Sequence, residues 1–226
     1  MAARHGVVAA VANLVMLLSS VAHGGDAPPS SVALAARTGL ASFIAGIPVG
    51  EADKYGLGEC PTVTAAELSA PLRVYTVARD KALAASATSD PLDVISPADT
   101  WVYVAHCGEY AGALLTIAMT PNGWEAVDFG GATHGSKLMA VFQRWPQADG
   151  YAYRFVRDPA LEVAFVVLLE SPQAAGALGV VPFEGPTQQP QAMPWKPRLE
   201  TFSDILAFVQ ARLLKLRGEG GATNVH

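Results

Sequence analysis

Asn122-Gly123 lies between two apolar runs, Gly112 to Thr120 and Trp124 to Phe129, and no other feature constrains the fold as strongly. Both residues tolerate the positive φ that a tight hairpin turn demands, so the flanking runs are read as antiparallel neighbours. Alternating, β-rich segments recur on either side. Residues 72–77 (LRVYTV) and 101–106 (WVYVAH) read as strands, 151–156 (YAYRFV) and 162–169 (EVAFVVLL) as a second hairpin around Asp158-Pro159, and 178–183 as a last short strand. Three segments carry helical spacing. Residues 31–46 have Val32, Leu40, Phe43 and Ile44 on one side, with Gly39 as a weakness. Residues 136–145 have Leu138, Val141, Phe142 and Trp145, stopped by Pro146. Residues 199–216 place Leu199, Phe202, Leu206, Val209, Leu213 and Leu216 at steps of three and four. The sum predicts an α+β fold: an antiparallel β-sheet of about five to seven strands, helices packed on one face, and a C-terminal amphipathic helix. Strands that arrive as hairpins, without regular crossover helices, argue against a doubly wound parallel sheet.

The amino-terminal 24 residues predict the compartment. Arg4 stands among no acids, Val7 to Ala22 is apolar, and Ser20-Val21-Ala22 and Ala22-His23-Gly24 offer small-residue cleavage points, the three-part order of a secretory signal peptide. An uncleaved anchor is the competing reading. Asn13 and two serines interrupt the run, which falls short of the roughly 20 apolar residues needed to span a bilayer. Pro28-Pro29 follow at once, and the first cysteine is Cys60, so no lipid-anchoring position follows the apolar run. The expectation is therefore export to the periplasm or the extracellular space, with no stable membrane span after cleavage. Beyond residues 1–24, the predicted organisation is one α+β domain over 25–183 and an extended linker over 184–198 with Pro186, Pro190, Pro194 and Pro197. A helix docking on the domain follows over 199–217, and a disordered tail over 218–226.

Fifteen basic against 20 acidic residues give a net charge of −5, and losing Arg4 with the leader makes it −6. An acidic exported domain lacks the footprint for phosphate backbones, so nucleic acid is excluded as the main partner. The expected partner is a protein, a peptide or an envelope component.

Cys60 and Cys107 are the two cysteines, and export puts them where a disulfide persists. Two unpaired buried thiols are the alternative, and a catalytic thiol a third. For the last, Cys107 needs an imidazole within hydrogen-bond reach. Its neighbour His106 points to the opposite face of an extended strand, which leaves His134 as the partner of a thiol-dependent hydrolase. Backbone donors at Gly130-Gly131 would complete that site. The bridged reading is preferred, because the pattern matches no thiol-enzyme signature. His106, Glu109 and His134 lack the spacings that pre-orient metal ligands, so neither a metal nor a cofactor is expected. The stretch 128–137 (DFGGATHGSK) has neither the companion motifs of a kinase nor the residue order of a phosphate loop. Among the strand aromatics, Trp101, Tyr103 and Trp124 are the candidate binding residues if one sheet face is open; the alternative places them in the core.

The order LRVYTV, WVYVAHCGEYAGALLTIAM, NGWEAVDFGG, a helix ending in RWP, then GYAYRFVR covers residues 68–170. In that plan the chain resembles exported bacterial proteins that have a helix-on-antiparallel-sheet domain and no assigned activity. It is also loosely similar in plan to secreted-protease propeptides and cystatin-like domains. The resemblance implies a helix on a curved sheet and, through the second similarity, a protease-inhibitor or propeptide-like role. It carries no catalytic motif.

Overall fold

A computed structural model describes residues 27–108, 110–183 and 195–221. The expected leader 1–24 lies outside the described residues, as do 184–194 of the expected linker and 222–226 of the expected tail. The elements are α1 (Ser30–Ala45), β1 (Glu67–Leu68), β2 (Leu72–Val77), α2 (Arg79–Ala84), β3 (Ile95–Cys107), β4 (Tyr110–Thr120) and β5 (Gly123–Gly130). They continue with α3 (Ala132–Arg144), β6 (Ala152–Asp158), β7 (Val163–Leu169), β8 (Gly179–Pro182) and α4 (Phe202–Gly221). The α+β class holds, with a multi-stranded sheet, helices packed on it and a carboxy-terminal helix.

The eight strands form one sheet in the order β5-β4-β3-β2-β6-β7-β8, with β1 paired to β3 alongside β2. The Asn122-Gly123 turn closes the β4–β5 hairpin, with Thr120 opposite Gly123 and Gly123 at φ 110°. Asp158-Pro159 likewise closes β6–β7, where Asp158 Oδ1 accepts from the Leu161 N–H at 3.3 Å. To the expected antiparallel pattern the structure adds one parallel contact. At the free edge the chain leaves β5, crosses the sheet through α3, and lays β6 beside β2 with Val74 opposite Phe155 and Tyr75 opposite Val156. Only a crossover element can make such a pair.

Side-chain parity divides the core into three parts. On one face, Val32, Ala36 and Ile44 of α1 pack on Trp101, Tyr103, Ala105, Leu115, Ile117 and Phe129. On the same face at the other end of the sheet, α4 inserts Phe202, Ile205, Leu206, Val209 and Leu213 against β6, β7 and β8. Gln210 of α4 ties α2 into this block, because its Nε2 donates to the carbonyls of Ala82 (2.9 Å) and Ala85 (3.1 Å). The opposite face carries α3, whose Leu138 and Val141 pack on Val102, Val104, Leu114 and Phe155. Helix cover thus extends to the second face, beyond the one-face arrangement expected from sequence. The reason is the crossover: a helix carrying the chain from β5 to β6 must lie across the sheet, and the face under β4, β3 and β2 was apolar on that side too.

Two glycines set the helix-to-sheet distance. A Cβ at Gly39 of α1 would overlap the Cβ of Ala126 on β5, and one at Gly135 of α3 would overlap the carbonyl of Gly112 on β4. Each helix therefore rests almost directly on backbone. Two boundaries differ from expectation. Leu199 lies outside α4, where the neighbouring Glu200 instead bridges Val180 in both directions (2.8 and 3.1 Å). Residues 218–221, expected in the tail, continue α4.

Candidate functional site

Cys60 and Cys107 are joined, with an S–S distance of 2.04 Å and Cα atoms 5.5 Å apart. The bond ties the loop after α1 to the last residue of β3. That loop also places Leu57, 1% exposed, over β4, where its side chain takes the space a Cβ at Gly112 would need. A sulfur held in a disulfide offers no thiolate, so in this oxidised chain Cys107 cannot be a nucleophile. His134 is not beside it either. Cys107 belongs to the cluster under α1, whereas the His134 ring stacks on Phe183, centroids 6.1 Å apart, in the region of α3. The two residues of the hydrolase reading are thus kept on different sides of the sheet. Gly131 caps the start of α3 at φ 63°, and its carbonyl accepts from the N–H groups of His134 and Gly135. His106 pairs through Nδ1 with the Gly108 carbonyl at 3.0 Å. Among the described residues no group of three or more His, Cys, Asp or Glu could hold a metal ion.

The aromatic candidates divide. Trp101 (4% exposed) and Tyr103 (6%) are core residues under α1, and Trp124 is partly buried at the margin of the same cluster. Burial raises the Tyr103 phenol above its ordinary pKa, an effect partly opposed by the Arg37 guanidinium. Its hydroxyl is buried without a protein partner. Trp101 also lines a cleft.

Between the α1 block and the α4 block, a strip of the same sheet face has no helix over it among the described residues. At its margin a half-open cleft of about 80 Å³ is lined by Trp101, Arg73, Tyr75 and Arg154 from this face, and by Gln147 and by Tyr151, which packs with the α3 cluster. The strand register accounts for this. Arg73 lies opposite Trp101, and one step back along the β2–β6 register puts Arg73 and Arg154 side by side on this face. Both guanidiniums are held in place. Arg73 Nε donates to the Ala98 carbonyl at 3.2 Å and its Nη2 lies 3.9 Å from Asp99, a residue whose side chain is 81% exposed. Arg154 Nη1 donates to the Tyr153 carbonyl at 3.2 Å, and its guanidinium carbon sits 5.7 Å from the centre of the Tyr75 ring. On the opposite face, under α3, Tyr153 donates its hydroxyl to the Trp145 carbonyl, and burial, with Asp149 nearby, pushes its phenol well above the usual range. Among the described residues, no His, Cys, Asp, Glu, Lys, Ser or Thr lines the cleft. Its lining is guanidinium, aromatic, amide and apolar.

Sequence reasoning passed over Arg73 and Arg154. The available signal was a single arginine inside each of two otherwise apolar strand segments, LRVYTV and YAYRFV. A charge in the middle of an inner strand is uncommon unless something engages it. The chain matches no protein-family model, no curated protein and no solved structure.

Proposed function

We propose that the chain is an exported, non-catalytic binding domain that engages a protein, a peptide or an envelope component through the uncovered strip of its sheet. The observation that carries this reading is the cleft over Trp101, Arg73, Tyr75 and Arg154, a surface of guanidinium and aromatic groups. Its size favours a macromolecular partner. Small-molecule and cofactor sites usually enclose about 300–1,000 Å³, several times the 80 Å³ found here. A cleft this shallow accepts a protruding side chain and leaves the rest of the ligand outside. The Cys60–Cys107 bond is consistent with export, since such bonds persist outside the cytosol. Among the described residues, no helix is long and apolar enough to cross a membrane. The test is photo-crosslinking in the producing cell, using the full chain with benzoylphenylalanine at Gln147 on the cleft rim or at Leu214 on the outer side of α4. A discrete adduct at position 147 with none at 214 is expected. Equal labelling at both positions, or none at either, overturns the reading.

A further inference from the structure

Resting on that reading, we infer that the cleft between Arg73 and Arg154 is a carboxylate site that receives one acidic side chain of a partner polypeptide. Three features carry the inference. The first is the placement of charge: two guanidiniums stand on adjacent strands of one face, and Arg73 has the exposed Asp99 carboxylate 3.9 Å away. Arg154 is half-buried and makes no ion pair among the described residues. A cation removed from water in this way is stabilised by an anion brought to it.

The second is preorganisation. Anchoring of Arg73 on Ala98, and of Arg154 on the Tyr153 carbonyl and the Tyr75 ring, fixes both side chains before any ligand arrives. Little rotamer freedom remains to be lost on binding. The planar fork of an arginine matches a carboxylate in two parallel hydrogen bonds. The third is shape. Trp101, Tyr75 and Tyr151 supply aromatic lining, and about 80 Å³ holds a carboxylate with its methylenes but not a whole metabolite. The net charge of −5 over the whole chain repels acidic partners elsewhere, so the arginine pair confines them to one place.

The probe is N-acetyl-glutamate methylamide, titrated into the ¹⁵N-labelled oxidised protein and followed by NMR at the Trp101 indole N–H and the Arg154 Nε–H. Saturable shifts of both signals at millimolar concentration are expected. The isosteric N-acetyl-glutamine methylamide should bind at least tenfold more weakly, because a charge-assisted pair is lost. Arg154→Gln should weaken the glutamate probe by about tenfold, and Arg154→Lys by a smaller factor, since charge survives and the fork does not. Equal binding of the glutamate and glutamine probes overturns the inference, and that comparison needs no variant. Inorganic phosphate binding as tightly as the glutamate probe overturns the carboxylate assignment. Absent shifts alongside a retained crosslink at position 147 sink the carboxylate site and leave the binding-domain reading standing.

Discussion

Removing the Cys60–Cys107 bond should cost the fold about 4 kcal/mol. The bond closes a loop of 47 residues that includes β1, β2, α2 and nearly all of β3. In the chain-entropy model this loop removes about 14 cal/mol/K from the unfolded ensemble, which at 25 °C is about 4 kcal/mol. A domain of this size shifts by roughly 2–4 °C per kcal/mol, so the unfolding midpoint should fall by about 8–16 °C. Cys107 is buried in an apolar cluster, so alanine is the suitable replacement at both positions, and the double variant leaves no stray thiol. Calorimetry of Cys60→Ala/Cys107→Ala beside the oxidised and the reduced wild type separates loss of the crosslink from loss of sulfur packing. The variant and the reduced protein should agree within about 1 kcal/mol, which is the scale of the small packing change. A midpoint lowered by less than about 4 °C in both would refute the reasoning. It would mean that the unfolded chain already holds β2 near β3, so that the staple restricts little.

Gly135→Ala and Gly218→Ala should have opposite signs, although both place alanine in a helix. At Gly135 the new methyl meets the rigid backbone of Gly112, and overpacking of about 1–3 kcal/mol outweighs the helix propensity gained. At Gly218 it meets open space, and a gain of up to about 1 kcal/mol is expected; urea unfolding of the two variants checks both. Stability should also fall on the alkaline side. The folded pKa values of Tyr103 and Tyr153 lie above the unfolded value of about 10, so above pH 10 the unfolded chain releases protons that the native state retains. The stabilisation is complete below pH 10 and is lost as pH rises through the folded values. Tyr103→Phe, which also removes a buried hydroxyl lacking a protein partner, should hold its stability at neutral pH and flatten the alkaline decline. A wild-type unfolding midpoint that does not move between pH 9 and pH 11 would contradict this.

Much of the sheet was legible because its signals are local. LRVYTV coincides with β2 and the Asn-Gly pair with the β4–β5 turn, since alternation and turn chemistry act within a few residues. The first half of β3 lies outside the expected strand 101–106, in a stretch where Pro97 and Asp99 are residues that strands disfavour. In the fold, Pro97 lies beyond Thr100–Ala118, the last pair with β4, so its missing N–H interrupts no ladder there. Gly39 was read as a weakness of α1, yet it is the residue that lets the helix approach Ala126. The β2–β6 contact joins residues about 80 positions apart and left no local trace. The cleft depends on that contact, because Arg73 and Arg154 become neighbours only when the two strands meet. Whether Trp101 and Tyr103 belong to the core or to an open face was undecided in the sequence for a related reason: which face α1 would cover cannot be deduced from alternation alone.

The parallel seam also orders events during assembly. Strands β2 to β5 form a run of nearest-neighbour pairings that can zip together as the chain emerges, whereas β6 must wait for α3 to cross before it finds β2. Long-separation pairings of this kind close late. Until then the inner edge of β2 stands bare, a template for any passing strand. A nascent or truncated polypeptide ending before residue 152 would therefore be the form most prone to self-association, and a helper that shields that edge would have its greatest effect in that interval.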